Sequence, residues 1–259
     1  MEYEERIASS FYDSFYKKKW NGSSSLVRQL SIDQAYHVQD LVTKKRIASG
    51  EKALGFKVGC TSAAIRKQFG LTEPIHGKLF CPHITENQAI FDFSNYMNCA
   101  IEPEMVLKIG KDLQGINLTN IELIEAIAYV SPGIEIHEFN FWIMPPTIQE
   151  LICSGGIHTG LIIGSQKTAP HDLSFNEEEF RVYKNKELVV SDPAREIMGG
   201  PLNSLKWLVN SLTERGMHLE KGSFVIPGSP VELINIEQNS EVTIEIDKVG
   251  SLSTYFKKN

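Results

Sequence analysis

Residues 99–110 read C-A-I-E-P-E-M-V-L-K-I-G. Met105, Val106, Leu107 and Ile109 mark a covered strand. Within it, Glu102 and Glu104 stand two apart around Pro103. Side chains alternate along a strand, so both carboxylates share one face. Two like charges that close in a low dielectric repel, and unless something neutralises them one takes up a proton. A divalent cation is the simplest neutraliser, and an all-oxygen donor set suits Mg²⁺ or Mn²⁺ better than zinc. The other reading is an edge strand, which Pro103 itself suggests, with both glutamates facing water.

Outward from this run, Glu135 sits in S-P-G-I-E-I-H (131–137), again between β-branched residues. If that strand lies near 101–107, three carboxylates converge and leave open positions on a six-coordinate ion. His137 alternates with Glu135 on the same strand face and so lines the same place. Lys57 stands alone between Phe56 and Val58. Its charge is costly to bury unpaired, so it snorkels to water, balances a carboxylate or grips an anionic substrate. His76 and His158 are candidate proton carriers, set against ordinary satisfied histidines. C-S-G-G (153–156) is a small-residue bend that is either an ordinary turn or a backbone cradle for a carboxylate. No Ser/His/Asp order stands out.

The rest of the chain supplies the frame. Ile7, Phe11 and Phe15 recur at helical spacing over about 2–19, and Asn21-Gly22 ends that helix. Ser31 and Gln34 form a capping box for a second helix over about 32–48. From Gly55 short strands dominate: 55–59, 78–81, 99–109, 132–137, 157–164, a hairpin over 180–190 turning near Asn185, 224–226 and 241–256. Short helices are expected after Thr61 or Ser62, over 119–129 behind Thr119, and over 201–212. Pro74 and Gly77 frame a turn. Many short strands with few helices predict a mixed or mainly β core with helices outside it. Residues 1–50 read as a helical segment packed on the body, and 51–259 as the main domain.

Bulk properties narrow the function classes. The 259 residues suffice for a sizeable core, and 26 Lys+Arg against 32 Asp+Glu leave a net charge of -6. With only local basic clusters, a nucleic-acid partner is not expected, while a local cation still permits an anionic small substrate. Cys60, Cys81, Cys99 and Cys153 lack C-x-x-C spacing and read as reduced thiols of a cytoplasmic protein. No run approaches a membrane span, and the start M-E-Y-E-E-R is too acidic for a secretory signal.

Several blocks together carry a resemblance. G-F-K-V-G-C-T-S (55–62), P-I-H-G (74–77), I-E-P-E (101–104), G-I-E-I (133–136), P-L-N-S-L-K-W-L (201–208) and V-I-P-G-S (225–229) resemble, in order and spacing, the fumarylacetoacetate hydrolase superfamily. The nearest branch is that of 2-keto-4-pentenoate hydratases and 4-oxalocrotonate decarboxylases, over about 36–256. The resemblance implies an α/β (mixed) fold, a central mixed β-roll of the superfamily's C-terminal-domain type with peripheral helices, residues 51–259 forming that catalytic domain. It implies Mg²⁺ or Mn²⁺ held by Glu102, Glu104 and Glu135, with the family lysine at Lys57. The implied substrates are small 2-oxo acids from aromatic-ring cleavage. The reaction expected first is hydration of a 2-hydroxydienoate, with decarboxylation of a 2-oxo acid, acylpyruvate C–C hydrolysis, or a non-catalytic partner subunit as alternatives. Lys57, His76 and His137 are the catalytic candidates, and Ser154, Gly155 and Ser229 the substrate-binding ones. A homo-oligomer, or a complex with a related decarboxylase or hydratase, is implied as well.

The chain also departs from the branch pattern. I-H-E-F-N (136–140) stands where I-x-D-S-R is common, with Glu138 and Asn140 in place of an acid and an arginine. Cys153-Ser154-Gly155-Gly156 replaces an A-D-N-A-type segment, Ile75 stands where many members carry an Asp, and Pro227 where a hydroxyl often faces the substrate. The metal motif is intact while the shell around the organic substrate is altered.

Overall fold

Three helices come first in the computed structural model, which describes residues 2–258 except 21, 63–65, 68, 69, 88, 97 and 139–145. They are α1 (Glu2–Lys17), α2 (Ser24–Val27) and α3 (Ile32–Ala48). The first buries Ile7, Ala8 and Phe11, the stripe its sequence sets up. The third starts at the reciprocal capping box of Ser31 and Gln34 and ends with Lys45 and Arg46 in its last turn, where a cation favours the helix dipole. The expected turn at Asn21 and most of the expected helix after Thr61 lie outside the described residues.

Strands β1 (Lys52–Gly59), β2 (Ile75–Cys81), β3 (Ile84–Glu86), β4 (Ile90–Asp92) and β5 (Cys99–Ile109) follow. Next come α4 (Asn120–Ala126), β6 (Ile127–Glu138), α5 (Ile148–Cys153), β7 (His158–Ile163), the hairpin β8 (Glu179–Lys184) with β9 (Glu187–Pro193), and α6 (Pro201–Glu214). Strands β10 (Phe224–Ile226), β11 (Ile234–Asn235), β12 (Ser240–Ile246) and β13 (Gly250–Lys257) complete the chain. Two elements differ from expectation. P-I-H-G is not a turn: β2 already begins at Ile75 and pairs antiparallel with β1, Gly77 opposite Lys57. The helix behind Thr119 ends at Ala126, because Ile127 onward pairs with β5 as a twelve-residue strand.

The larger sheet has the order β2-β1-β10-β5-β6-β7-β3, with β11 also on β5, and the smaller runs β4-β13-β12-β8-β9. Parallel and antiparallel pairs mix in both. The larger sheet curls until β2 touches β3 and β7, and among the described residues no ladder joins them. Strand β5 is therefore interior, which corrects the edge-strand reading. Pro103 nevertheless has a place: β11 pairs at Ala100 and Ile101, β10 at Leu107 and Lys108, and Pro103 faces the gap between. A residue without an N–H fits where no ladder runs on that side.

Period two sorts the side chains of β5 and β6. One face, with Ile101, Met105, Leu107, Ile134 and Ile136, joins a core shared with α6 and the smaller sheet, through Leu205, Leu208, Val242 and Ile244. Each such side chain stabilises the fold by about 1.5–3 kcal/mol. The opposite, inner face carries the glutamates. Below them Leu79, Val106, Leu161, Ile163 and Ile226 form a small apolar floor. The N-terminal helices share a third cluster with β2 and α5, where Phe11, Val38 and Leu41 meet Ile75, Leu151 and Ile152. Among the described residues no helix is long and apolar enough to cross a membrane.

Candidate metal centre

Register brings the acids together. Glu102 is the direct partner of Glu135 across β5–β6, and Glu104 is opposite Gly133. Glu104 and Glu135 are fully buried, while Glu102 keeps some exposure. A side chain at position 133 would meet Val106 Cγ2 at 2.4 Å, so only glycine leaves room beside Glu104. Glu104 Oε2 accepts from the Gly228 N–H at 3.1 Å, an N–H supplied by the loop that fills the gap opposite Pro103.

Basic side chains surround Glu135. Lys57 Nζ lies 2.9 Å from its Oε1 and also donates to the Gly156 carbonyl at 3.2 Å. His158 Nδ1 lies 2.8 Å from the same oxygen. His137 Nε2 lies 2.9 Å from Glu102 Oε2 and 3.3 Å from Glu135 Oε2. Burial works against the Glu135 carboxylate, but His137 and Lys57 outweigh it and hold its pKa well below the usual range. Glu104 goes the other way: burial, then Glu135 and Glu102, push its carboxyl well up. Burial disfavours the Lys57 ammonium, yet Glu135 and Glu102 raise its pKa. Burial likewise opposes charge on His137, and Glu135 foremost raises it to about 9. His158 is pushed down to about 4, chiefly by burial.

A buried carboxyl pushed toward protonation by the acids beside it marks a site short of positive charge. Glu104 Oε1 is buried with no hydrogen-bond partner, and Glu135 Oε2 has only the ion-pair contact with His137 at 3.3 Å; buried carboxylate oxygens left so are costly unless a cation takes them up. Glu102, Glu135 and His137 each offer a ligand atom, all within 4.8 Å of one another. These donors, carboxylate oxygens with one imidazole, fit a hard divalent cation.

The other expected residues lie as follows. His76 pairs opposite Val58 and so points to the face of β2 away from Lys57. There it packs 4.7 Å from the Tyr36 ring and beside Phe56 and Trp207, and burial lowers its pKa to about 3. Ser154 Oγ donates to the Leu151 carbonyl at 3.0 Å and accepts from Ile157 N–H at 3.2 Å. Gly155 lies in the left-handed region at φ 70°. Ser229 Oγ accepts from Val231 N–H at 3.2 Å, one residue beyond the Gly228 contact to Glu104. Sequence reasoning gave no part to the Gly228 N–H; the only signal was a glycine after proline in V-I-P-G-S. Ile75 flanks the lysine: a methyl on Gly59 would lie 3.4 Å from Ile75 Cγ1 and 3.7 Å from Lys57 Nζ.

No family model matches the chain. Among curated proteins it is 26% identical over 235 residues to a 2-keto-4-pentenoate hydratase of Paraburkholderia xenovorans, covering 89% of this chain and 86% of the relative. It is 25% identical over 228 residues to a 4-oxalocrotonate decarboxylase of Pseudomonas putida, covering 88% and 86%. The solved 4-oxalocrotonate decarboxylase from Pseudomonas putida G7, complexed with magnesium and adipate, shares the fold at a TM-score of 0.94 and 24% identity, covering 98% of this chain and 97% of that one. With the curled mixed sheet, these likenesses show the fold of the C-terminal domain of fumarylacetoacetate hydrolases. Along most of its length the chain is similar to 2-keto-4-pentenoate hydratases and 4-oxalocrotonate decarboxylases alike. Its cluster of carboxylates and a histidine is one that could hold a divalent cation.

Proposed function

We propose that the chain is a 2-oxo-acid decarboxylase in which Glu102, Glu104 and Glu135 hold Mg²⁺ or Mn²⁺. When bound, the ion supplies a Lewis acid that takes up negative charge developing on a 2-oxo acid. The residues of the chain do the rest. The apolar floor of Val106, Leu161 and Ile226 keeps water from beneath the acids, which strengthens every electrostatic contact above it. Loss of CO₂ breaks one C–C bond, and its electron pair runs through the conjugated chain toward the 2-oxo group. The chain must then supply one proton. Lys57, charged and 2.9 Å from Glu135, is placed to give it and to hold the substrate's carboxylate before that.

One observation carries the preference for this reaction over hydration. Adding water calls for a base to take its proton, and among the described residues the titratable groups facing the acids, Lys57, His137 and His158, are already engaged with them. Beside Lys57 the chain has Ile75, an apolar side chain in the N-terminal core. Decarboxylation needs no base, because the carboxylate leaves with no proton to remove. The curated relatives include both reactions.

The test is a panel of unsaturated 2-oxo acids, mono- and dicarboxylic, with Mg²⁺ or Mn²⁺, followed by CO₂ release and by loss of dienol absorbance. Metal-dependent CO₂ release from a 2-oxo-enedioate is expected. Faster water addition to a 2-hydroxydienoate than CO₂ release from any member of the panel overturns the reading.

A further inference from the structure

Where the curled sheet brings β2 against β7 without a ladder, a seam is left. In it lies a cavity of about 20 Å³, lined by Thr43, Arg46, Lys78, Phe80, Ser154 and His158 among others. That is room for one water molecule. Two of its walls carry a buried nitrogen with no hydrogen-bond partner, Arg46 Nη2 and His158 Nε2. The two residues are only 7% and 5% exposed.

Both side chains are held from their other ends. The Arg46 guanidinium is clamped between the Phe15 and Phe80 rings, 4.3 and 3.9 Å from their centroids. Its Nε donates to Glu51 Oε2 at 2.6 Å. His158 uses Nδ1 on Glu135 Oε1, so Nε2, on the far side of the ring, is turned away from the acid cluster. An ionised carboxylate only accepts, so Nδ1 carries the hydrogen and Nε2 of the neutral ring is an acceptor. Arg46 Nη2 is a donor. The species between them must accept from one and donate to the other. A water does both; a halide offers His158 no proton.

We propose that one buried water bridges Arg46 Nη2 and His158 Nε2, making Arg46 a positioning residue for the metal centre. The bridge fixes the Nδ1–H tautomer of His158 and aims that hydrogen at Glu135 Oε1, leaving Oε2 for the ion. Outer groups that orient a ligand in this way tune metal affinity. A helix of the N-terminal segment thereby acts on the site from across the seam. The inference rests on Glu135 being a metal ligand, as proposed above.

The test has three parts. A high-resolution crystal structure of the Mn²⁺-loaded protein should show one water within hydrogen-bonding distance of both nitrogens; an empty seam, or bromide replacing that density in a soak, overturns the proposal. ¹⁵N spectra of histidine-labelled, metal-free protein should show His158 protonated at Nδ1 with a hydrogen-bonded Nε2; the opposite tautomer overturns it. Finally, Glu51→Gln should leave that signature and the Mn²⁺ Kd within twofold, while Arg46→Met with Glu51→Gln should abolish the Nε2 signature and weaken Mn²⁺ binding about threefold to tenfold, less than a directly bonded outer partner does. An unchanged double variant overturns the proposal, and the first two measurements decide it if that variant does not fold. Mn²⁺ binding that survives Glu135→Ala would instead overturn the ligand assignment, with the seam water still readable by itself.

Discussion

Glu102 and Glu135 stand directly opposite one another across β5 and β6, and His137 Nε2 sits within 2.9 Å of one and 3.3 Å of the other. The pairing register alone assembles this part of the site. Glu104, two residues on, adds a buried carboxyl that its neighbours force toward protonation.

Glu104→Ala should therefore abolish Mn²⁺ binding, read by electron paramagnetic resonance, together with turnover. In chelator, the same variant should melt no lower than the parent, because it removes a buried, poorly satisfied carboxyl along with its packing. Full activity of Glu104→Ala after exhaustive chelation would sink the assignment.

Lys57→Met keeps the stem and removes the ammonium. The expected loss is about 10²–10⁴ in kcat, the usual range for a positioned proton donor, with the Mn²⁺ Kd moved by less than kcat. A variant that loses metal and turnover in step would show that Lys57 only supports Glu135.

Gly77 is a packing requirement. A Cβ there would lie 2.5 Å from the Gly155 carbonyl oxygen, and backbone yields less readily than a side chain. Gly77→Ala should cost about 1–3 kcal/mol in denaturant titration, as overpacked sites do. It should also lower turnover, since the displaced bend includes the Gly156 carbonyl that holds Lys57. Parent-like stability would mean that the bend moves freely.

Glu51 gives a pH dependence. Burial opposes its charge, but hydrogen bonds from Tyr16, His83 and Arg46 hold its pKa below 4.5. A depressed carboxylate contributes stability above its unfolded pKa and loses it as pH falls through the folded value. Glu51→Gln should cost about 1–2 kcal/mol at pH 7, since charge-assisted bonds are weakened rather than removed. The gap between parent and variant should stay flat from neutral pH down to about pH 5, then close in acid. A gap that widens in acid would contradict the sign.

Cys60 is an accessible test of the field near the site. Burial first, then Glu102, push its thiol up to about 11, although Lys57 opposes this. The thiolate is the nucleophile, so iodoacetamide should modify the exposed Cys81 well before Cys60 at pH 8. Mass spectrometry of the labelled peptides reads the order; Cys60 reacting first would contradict it.

Much of this was legible in the chain. The shared face of Glu102 and Glu104 was plain from their spacing, while the choice between an edge strand and a covered one waited for the ladder that puts β5 inside the sheet. Helix caps were equally plain: Ser31 with Gln34 and Thr119 with Glu122 act as their spacing says. P-I-H-G misled because Pro and Gly are turn residues by local habit, whereas Gly77 is small for a contact with a segment almost eighty residues away. Residues 127–129 continue a helical pattern locally, but pairing with β5 offers them a full ladder. The placement of His76 followed from its strand face and not from its distance in sequence to Lys57. The seam depends on the curl of the whole sheet, which no short window records.

The break in the ladder opposite Pro103 has a further consequence. Strands β10 and β11 clamp β5 on either side of it, so the connecting segment 227–233 is anchored at both ends and unconstrained in between by any neighbour's register. Beyond Gly228, whose N–H holds Glu104, it can be lengthened, shortened or rewritten while the spacing of the acids stays untouched. New substrate preferences can thus be grafted onto an unchanged metal chemistry, with this loop as the exchangeable part.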